Sequence, residues 1–599
     1  MAEIYTVNRA PLANDWDQRS PGGYDIVVVG SGYGGAITAG RLASAQWSSG
    51  KPSICVLERG KEWLPGQFPD ALARGAQELR HTLNPLGLYD FRFGTDIGVL
   101  MGSGLGGTSL INANVVFEPD PEVFDHPQWP QAIRDARDQS QLQDYFNRVR
   151  ATLFARKHPD ALNLSKIQAL KKGAEAADFD LPDIAVNFEF EGNNTWGIRQ
   201  RKCISCGDCV SGCNVGAKNT LDTNYLAIAK SGGAEIFTQV EVKRIEPQAG
   251  GGYLIHYIRR ESPYGLAEEG TLTANRIVVL AAGALGSTEI MLRSRQFGLR
   301  LSDTVGTRFS GNGDFFGLAY NSDMRTDALG WGAYPDSDRA SRIQPPSGPA
   351  LHPGPTIVGR VKYNKDKPLG DRITVEELSF PLMYVDAARS AFAFSWLNRR
   401  DTDPDDFIDN FMEFERRSRD IGAVDPSLEE GALNHTLCYL VMGQDDGSGQ
   451  IELDPVTQEA RIRWPRVADQ SVFKRQNELL LAHATVLGST FVQNPLWAFT
   501  PLRTLLTVHP LGGCPMGEDH TTGLVNDLGQ VLDDCGGIHR GLYIADGSVV
   551  PTPIGVNPLL TISALAERLA ERLVTELGGS LFPNRGRGQI EEQRETSAS

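Results

Sequence analysis

YDIVVVGSGYGGAITAG, residues Tyr24 to Gly40, is the stretch on which the fold turns. Its opening YDIVVV is short, apolar and β-branched and runs straight into a glycine, the pattern of a strand buried on both faces of a parallel sheet. Four glycines follow, Gly30, Gly32, Gly34 and Gly35. In a G-x-G-x-x-G turn Gly30 permits the tight bend, Gly32 lets the backbone approach a pyrophosphate, and Gly35 allows close contact between helix and strand. A helix is predicted from near Gly34, and its start turns free N–H groups and a positive dipole end toward phosphates. The next apolar run, SICVLE, ends at Glu58 and completes a βαβ unit. A carboxylate there is placed to bind a ribose hydroxyl and repels a 2′-phosphate, so the unit reads as a site for NAD or FAD rather than NADP. The motif alone does not separate the first two.

Other segments repeat the theme. MGSGLGGTSLINANVVFEP is dense in glycine and small residues, and RIVVLAAGALGSTEIML reads as a further strand, glycine turn and helix. Near the end come HPLGGCPMG, a predicted strand in GLYIADGSVV, and a predicted helix in PLLTISALAERLAERLVTEL. Leu142, Tyr145, Phe146, Val149 and Leu153 recur at helical spacing and predict an amphipathic packing helix. Residues 321–371 are rich in Pro, Gly, Ser and Asp and suit loops over a substrate cavity. DFIDNFMEF offers Phe407, Ile408, Phe411 and Phe414 as a greasy lid or, equally, as core residues. The polar tail, residues 581–599, is expected to be disordered.

The whole chain has 599 residues, beyond the size at which one core keeps growing, so at least two structural domains are expected. Apolar residues at 41% and charged residues at 22% fit a globular protein. A formal charge of -16 repels nucleic-acid phosphates and anionic surfaces, which argues against nucleic acid as a partner. No basic segment followed by an apolar one opens the chain, and no apolar run reaches membrane-spanning length. The expectation is a water-soluble cytoplasmic protein. Eight cysteines are too sparse for a disulfide scaffold, and Cys55, Cys438, Cys514 and Cys535 lie far apart.

The other four form a run, Cys203, Cys206, Cys209 and Cys213. The spacing C-x2-C-x2-C-x3-C matches the ferredoxin pattern that holds an iron–sulfur cluster, although the proline that usually follows the fourth cysteine is Asn214 here. Thiols or disulfides packed in a glycine-rich loop are the second reading. Structural zinc is the third, and it prefers two C-x-x-C pairs with a longer loop between them.

Taken together, GSGYGGAITAGRLA, GSGLGGTSLINANVVFEP, VVLAAGALGSTEIML, HPLGGCPMG and GLYIADGSVVPTPIGVNPLLTISALAER resemble the glucose-methanol-choline (GMC) family of FAD-dependent alcohol oxidoreductases, in its cholesterol-oxidase-like branch. The resemblance implies an α/β Rossmann-type FAD-binding domain, assembled here from residues 20–125, 196–310 and 500–580. It also implies an α+β substrate domain, residues 126–195 and 311–499, whose antiparallel sheet roofs the flavin. By the same resemblance Gly104, Gly106 and Gly107 press the backbone against the cofactor, Asn112 lies beside the flavin ring, and Asp546 bonds the ribityl and phosphate region. His509 takes the alcohol proton as hydride moves to flavin N5, and Asn557 bonds the substrate oxygen. Asn557 followed by Pro558 also reads as a helix start, with asparagine as the cap.

Relatives that isomerise a steroid double bond carry a glutamate near a strand that here reads GALNHTLCYLVMGQ. No glutamate lies within it; Glu429 and Glu430 precede it and His435 lies inside. The implied activity is oxidation of an apolar, cyclic or steroid-like secondary alcohol, with reoxidation through a cluster and an electron-carrier protein or by oxygen. A non-redox lyase or decarboxylase on the same fold, and an iron–sulfur electron-transfer flavoprotein, are the alternatives.

Overall fold

The computed structural model describes residues 6–48, 50–174, 177–332, 352–383, 412, 414–416, 418–419, 431–494, 497 and 503–581. Phe407, Ile408 and Phe411 of the anticipated lid lie outside these residues, as does the tail beyond 581, while Phe414 is exposed.

The βαβ unit forms where the glycine pattern places it. Strand β1 (Tyr24–Val29) has Ile26, Val27 and Val28 with no exposed surface, as a strand covered on both faces requires. It pairs in parallel with β2 (Ile54–Leu57) on one side and β3 (Glu268–Leu280) on the other. Between β1 and β2 runs helix α1 (Tyr33–Ser44), which packs against helix α3, Leu559–Glu576, and the short helix Tyr225–Ser231. Glycine weakens an isolated helix by about 1 kcal/mol per residue, so α1 with Gly34, Gly35 and Gly40 depends on this packing.

The sheet has eight strands and is mixed because β3 is long enough to serve two partners. Its C-terminal half, Val278 to Leu280, pairs in parallel with Leu542 to Ile544, and its N-terminal half pairs antiparallel with Tyr253–Arg259. Helix α2 (Gly283–Gln296) leaves β3 directly.

A second sheet is antiparallel throughout. Its order is Thr490–Gln493, β4 (Phe315–Tyr320), β6 (Leu437–Met442), β5 (Ile373–Leu378), Arg360–Tyr363 and Asp178–Asp180. Successive side chains of a strand point to opposite faces. Phe315, Val375, Tyr439 and Val441 join a core with Phe473 and Leu480 of the helix Ser471–Val486. Phe316, Leu378, Cys438 and Leu440 face a cavity on the other side. The anticipated packing helix is Gln141–Thr152, which buries Leu142, Tyr145, Phe146 and Val149 and packs against α3. No helix among the described residues is long and apolar enough to cross a membrane.

Candidate functional site

Between the C-terminal ends of the parallel strands and the antiparallel sheet lies a cavity of about 470 Å³. Its wall draws on stretches far apart in the chain: Gly30 to Gly34, Glu58, Gly107, Asn112, Asp546, His509 and Asn557. Gly35, Gly104 and Gly106 support that wall from behind. A Cβ on Gly35 would stand 2.0 Å from the Gly30 carbonyl oxygen, Gly104 packs on Gly60, and the Gly106 N–H donates to Ser31 Oγ at 2.9 Å.

The wall fits a dinucleotide. At Gly32 a Cβ would meet nothing within 4 Å, so bare backbone faces the cavity where a pyrophosphate needs close approach. Asn112 Nδ2 donates to Tyr33 Oη at 2.8 Å, while the Oδ1 atoms of Asn112 and Asn557 are buried with no protein partner. Buried acceptors of this kind call for donors from a ligand. Glu58 accepts from Ser31 N–H at 3.2 Å, Ser31 Oγ–H at 2.5 Å and Gly60 N–H at 2.9 Å, and burial raises its carboxyl pKa. Asp546 accepts from Gly283 N–H and Ser548 N–H, each at 2.9 Å, and from the Ser287 hydroxyl. Both carboxyls therefore fix loop shape as well as lining the cavity.

Near the antiparallel sheet the polar groups form a chain. His509, with its side chain 12% exposed, places Nδ1 2.9 Å from Asp314 Oδ1. Asp314 is fully buried, and its other oxygen accepts from Thr507 Oγ1–H at 2.8 Å and Val508 N–H at 2.9 Å. A carboxylate there accepts a hydrogen bond from Nδ1–H, which leaves Nε2 with a lone pair. That nitrogen lies 3.4 Å from Asn557 Nδ2. Sequence reading missed Asp314, whose one sign is an acidic residue directly before the apolar strand FFGLAY.

Asn557 is not the anticipated helix cap. Helix α3 begins at Leu559 with Pro558 in the capping place and no side-chain cap bond. The Asn557 carboxamide is drawn instead to a buried carboxyl, donating from Nδ2 to Glu376 Oε2 at 3.1 Å. The start of α3 still borders the cavity through Pro558, Leu559 and Ile562. Glu376 was also missed. It stands on β5 opposite Leu440 of β6, so the neighbour of the strand that lacks a glutamate supplies one. It is fully buried, Oε1 has no protein partner, and burial pushes its pKa up to about 8. His435 is turned elsewhere, with Nδ1 3.0 Å from the Ser322 carbonyl oxygen, and Glu429 and Glu430 lie outside the described residues.

Two models of the GMC oxidoreductase family match residues 24–310 and 482–566, together more than half of the chain. The chain belongs to the GMC oxidoreductase family. A cholesterol oxidase from Acinetobacter baumannii is 26% identical, over 91% of this chain and 93% of that protein. Long-chain-alcohol oxidase FAO4B from Arabidopsis thaliana is 22% identical, over 92% of this chain and 67% of that protein. Among solved structures, a formate oxidase variant from Aspergillus oryzae RIB40 superposes with TM-score 0.58 at 14% identity, over 93% of this chain and 99% of that one, which shows a shared fold. As a GMC oxidoreductase the protein is an FAD-dependent enzyme acting on CH–OH groups.

In this GMC oxidoreductase Cys203, Cys206, Cys209 and Cys213 are free thiols around a second, small cavity of about 20 Å³. Disulfides are absent from the run. Burial raises the pKa of Cys203, Cys206 and Cys209. Among the described residues no group of three or more His, Cys, Asp or Glu side chains is set to hold a metal ion. Val210, next to Cys209, lies on the wall of the large cavity, so the cysteine loop is part of the cofactor site's boundary.

Proposed function

We propose that this GMC oxidoreductase oxidises a hydrophobic secondary alcohol, cyclic or steroid-like, to the ketone. The observation that carries the reading is an imidazole Nε2 and a carboxamide facing one cavity whose remaining wall near them is apolar: Phe316, Ile357, Leu378, Leu440, Leu506 and Val508. Bound FAD supplies the hydride acceptor. His509 Nε2 accepts the hydroxyl proton, Asp314 holds the ring in the productive tautomer and steadies the charge it gains, and Asn557 orients the alcohol oxygen. The apolar wall keeps water out and leaves a second hydroxyl on the substrate without a partner.

The test is anaerobic mixing of the holoenzyme with a sterol, a monocyclic secondary alcohol, a long-chain primary alcohol and a sugar, following loss of the flavin absorption band. Bleaching by the sterol or the monocyclic alcohol is expected. Bleaching by the sugar alone or by the primary alcohol alone overturns the substrate class, and bleaching by none of them leaves the non-redox alternative.

Cys203, Cys206, Cys209 and Cys213 would hold an iron–sulfur cluster, which supplies one-electron exchange with a carrier protein when bound. The support is that four free thiols surround one cavity. A polynuclear cluster spreads its thiolates over several metal atoms, so its ligands need not stand as closely as those of one ion. Iron and acid-labile sulfide in the anaerobically purified protein are the measure; their absence leaves reoxidation to oxygen or a soluble acceptor.

Glu376 stands behind Asn557, one hydrogen bond from the cavity wall, and gives the site a second ionisable group. With its pKa raised from 4.5 to about 8, the carboxyl keeps its proton at neutral pH. The sign for stability follows. The unfolded chain ionises this group above 4.5, so its contribution is full below that pH and is lost as pH rises through about 8. Glu376→Gln is expected to lose less melting temperature between pH 5 and pH 9 than the native protein. Equal losses would mean that the carboxyl does not titrate in that range.

A further inference from the structure

Lys218 follows the cysteine run in NVGAKNT and is 2% exposed. Its ammonium donates to the carbonyl oxygens of Leu110 at 3.1 Å, Asn112 at 2.5 Å and Cys209 at 3.0 Å. Two of these belong to the glycine-rich segment behind the cofactor cavity, and Asn112 is on the cavity wall itself. The third belongs to the cysteine loop, and Lys218 and Cys209 both line the small cavity. One side chain therefore pins together the boundary of the flavin cavity and the loop of thiols.

The contrast with Lys166 shows why the charge matters. Lys166 is equally buried but sits 3.2 Å from the carboxylate of Glu377, which cancels its field locally. The partners of Lys218 are neutral carbonyls. The ionisable groups nearest in effect are Cys209, Cys213 and Asp222, and Asp222 is itself paired with Arg9. A buried charge without a matched partner acts over a longer range than a surface charge, because little water screens it. Its neighbours on the two sides are the peptide of Asn112 and the thiols, so it favours added negative charge in either cavity.

We propose that Lys218 is a positioning residue that ties the electron affinity of the flavin site to the state of the cysteine loop. It holds Asn112 in place from behind and lends its positive charge to both cavities. The inference rests on the FAD reading above and holds whether the thiols carry a cluster or remain free.

The experiment is a redox titration of bound FAD in the native holoenzyme, in Lys218→Met, which keeps length without charge or donors, and in Lys218→Arg, which keeps the charge. Lys218→Met is expected to shift the two-electron equilibrium at least tenfold toward oxidised flavin, about 30 mV, with Lys218→Arg within twofold of native. Cys213→Asp, which sets a carboxylate beside Lys218 with or without a cluster, is expected to shift the same equilibrium several-fold toward oxidised flavin, a readout independent of whether Lys218→Met folds. A Lys218→Met equilibrium within twofold of native, or no shift in Cys213→Asp, overturns the inference. A native protein that holds no FAD overturns the functional reading instead.

Discussion

Replacing His509 by alanine is expected to lower kcat/KM for the alcohol by about 10²–10⁴-fold, the range spanned by loss of a positioned general base. The imidazole is the acceptor whose lone pair faces the cavity, and its other nitrogen is committed to Asp314 at 2.9 Å. FAD content and melting temperature should change little, since the His509 ring is not part of the hydrophobic core. Asp314→Asn should reproduce much of the loss, because a carboxamide offers either a donor or a weaker acceptor to Nδ1 and allows the wrong tautomer. Added imidazole separates the two: it is expected to restore part of the activity of His509→Ala, whose ring it replaces, and none of that of Asp314→Asn. Full activity in His509→Ala would remove the imidazole from the reaction.

The second large effect lies at Gly34. A Cβ at this position would stand 1.8 Å from the carbonyl oxygen of Ala545 and 2.6 Å from its carbonyl carbon. Neither is the end of a flexible side chain, so α1 and the turn carrying Asp546 must move apart. Overpacking of a tight contact costs about 1–3 kcal/mol, and a backbone clash belongs at the upper end. Gly34→Ala is expected to lower the melting temperature by roughly 2–3 °C in a chain of this size. It should also release FAD on desalting, because Asp546 anchors Gly283 and Ser287 through the same turn. Gly32→Ala is the control: its Cβ would enter open space. Stability should then hold while FAD affinity falls, since the methyl occupies the place of closest backbone approach. Normal FAD retention in both variants would place the cofactor elsewhere.

Much of the fold was legible because local pattern and tertiary role coincide. The apolar run before Gly30, the helix that follows, the strand ending at Glu58 and the later strand–turn–helix at Leu280 to Gly283 all appear where periodicity and glycine put them. The gathering of His509, Asn557, Asn112 and Asp546 on one wall was readable through motif resemblance. Asp314 and Glu376 were not, because each sits in an ordinary-looking context and becomes part of the site only through long-range pairing. Glu376 is within the run ITVEEL, where two adjacent glutamates suggest a solvated edge, yet both are fully buried. Glu377 is matched there by Lys166, and Glu376 by the carboxamide of Asn557. The same partner explains the misread cap: a local rule gave Asn557 to the helix, and a carboxyl from a strand far away in the chain claimed it.

The antiparallel sheet has one more consequence. Along β4 and β6 neighbouring residues belong to different compartments, Phe315, Tyr439 and Val441 to the packed interior and Phe316, Cys438 and Leu440 to the chamber. Selection can therefore recut the shape offered to an alcohol by exchanging every other residue, while the alternate set keeps the protein folded.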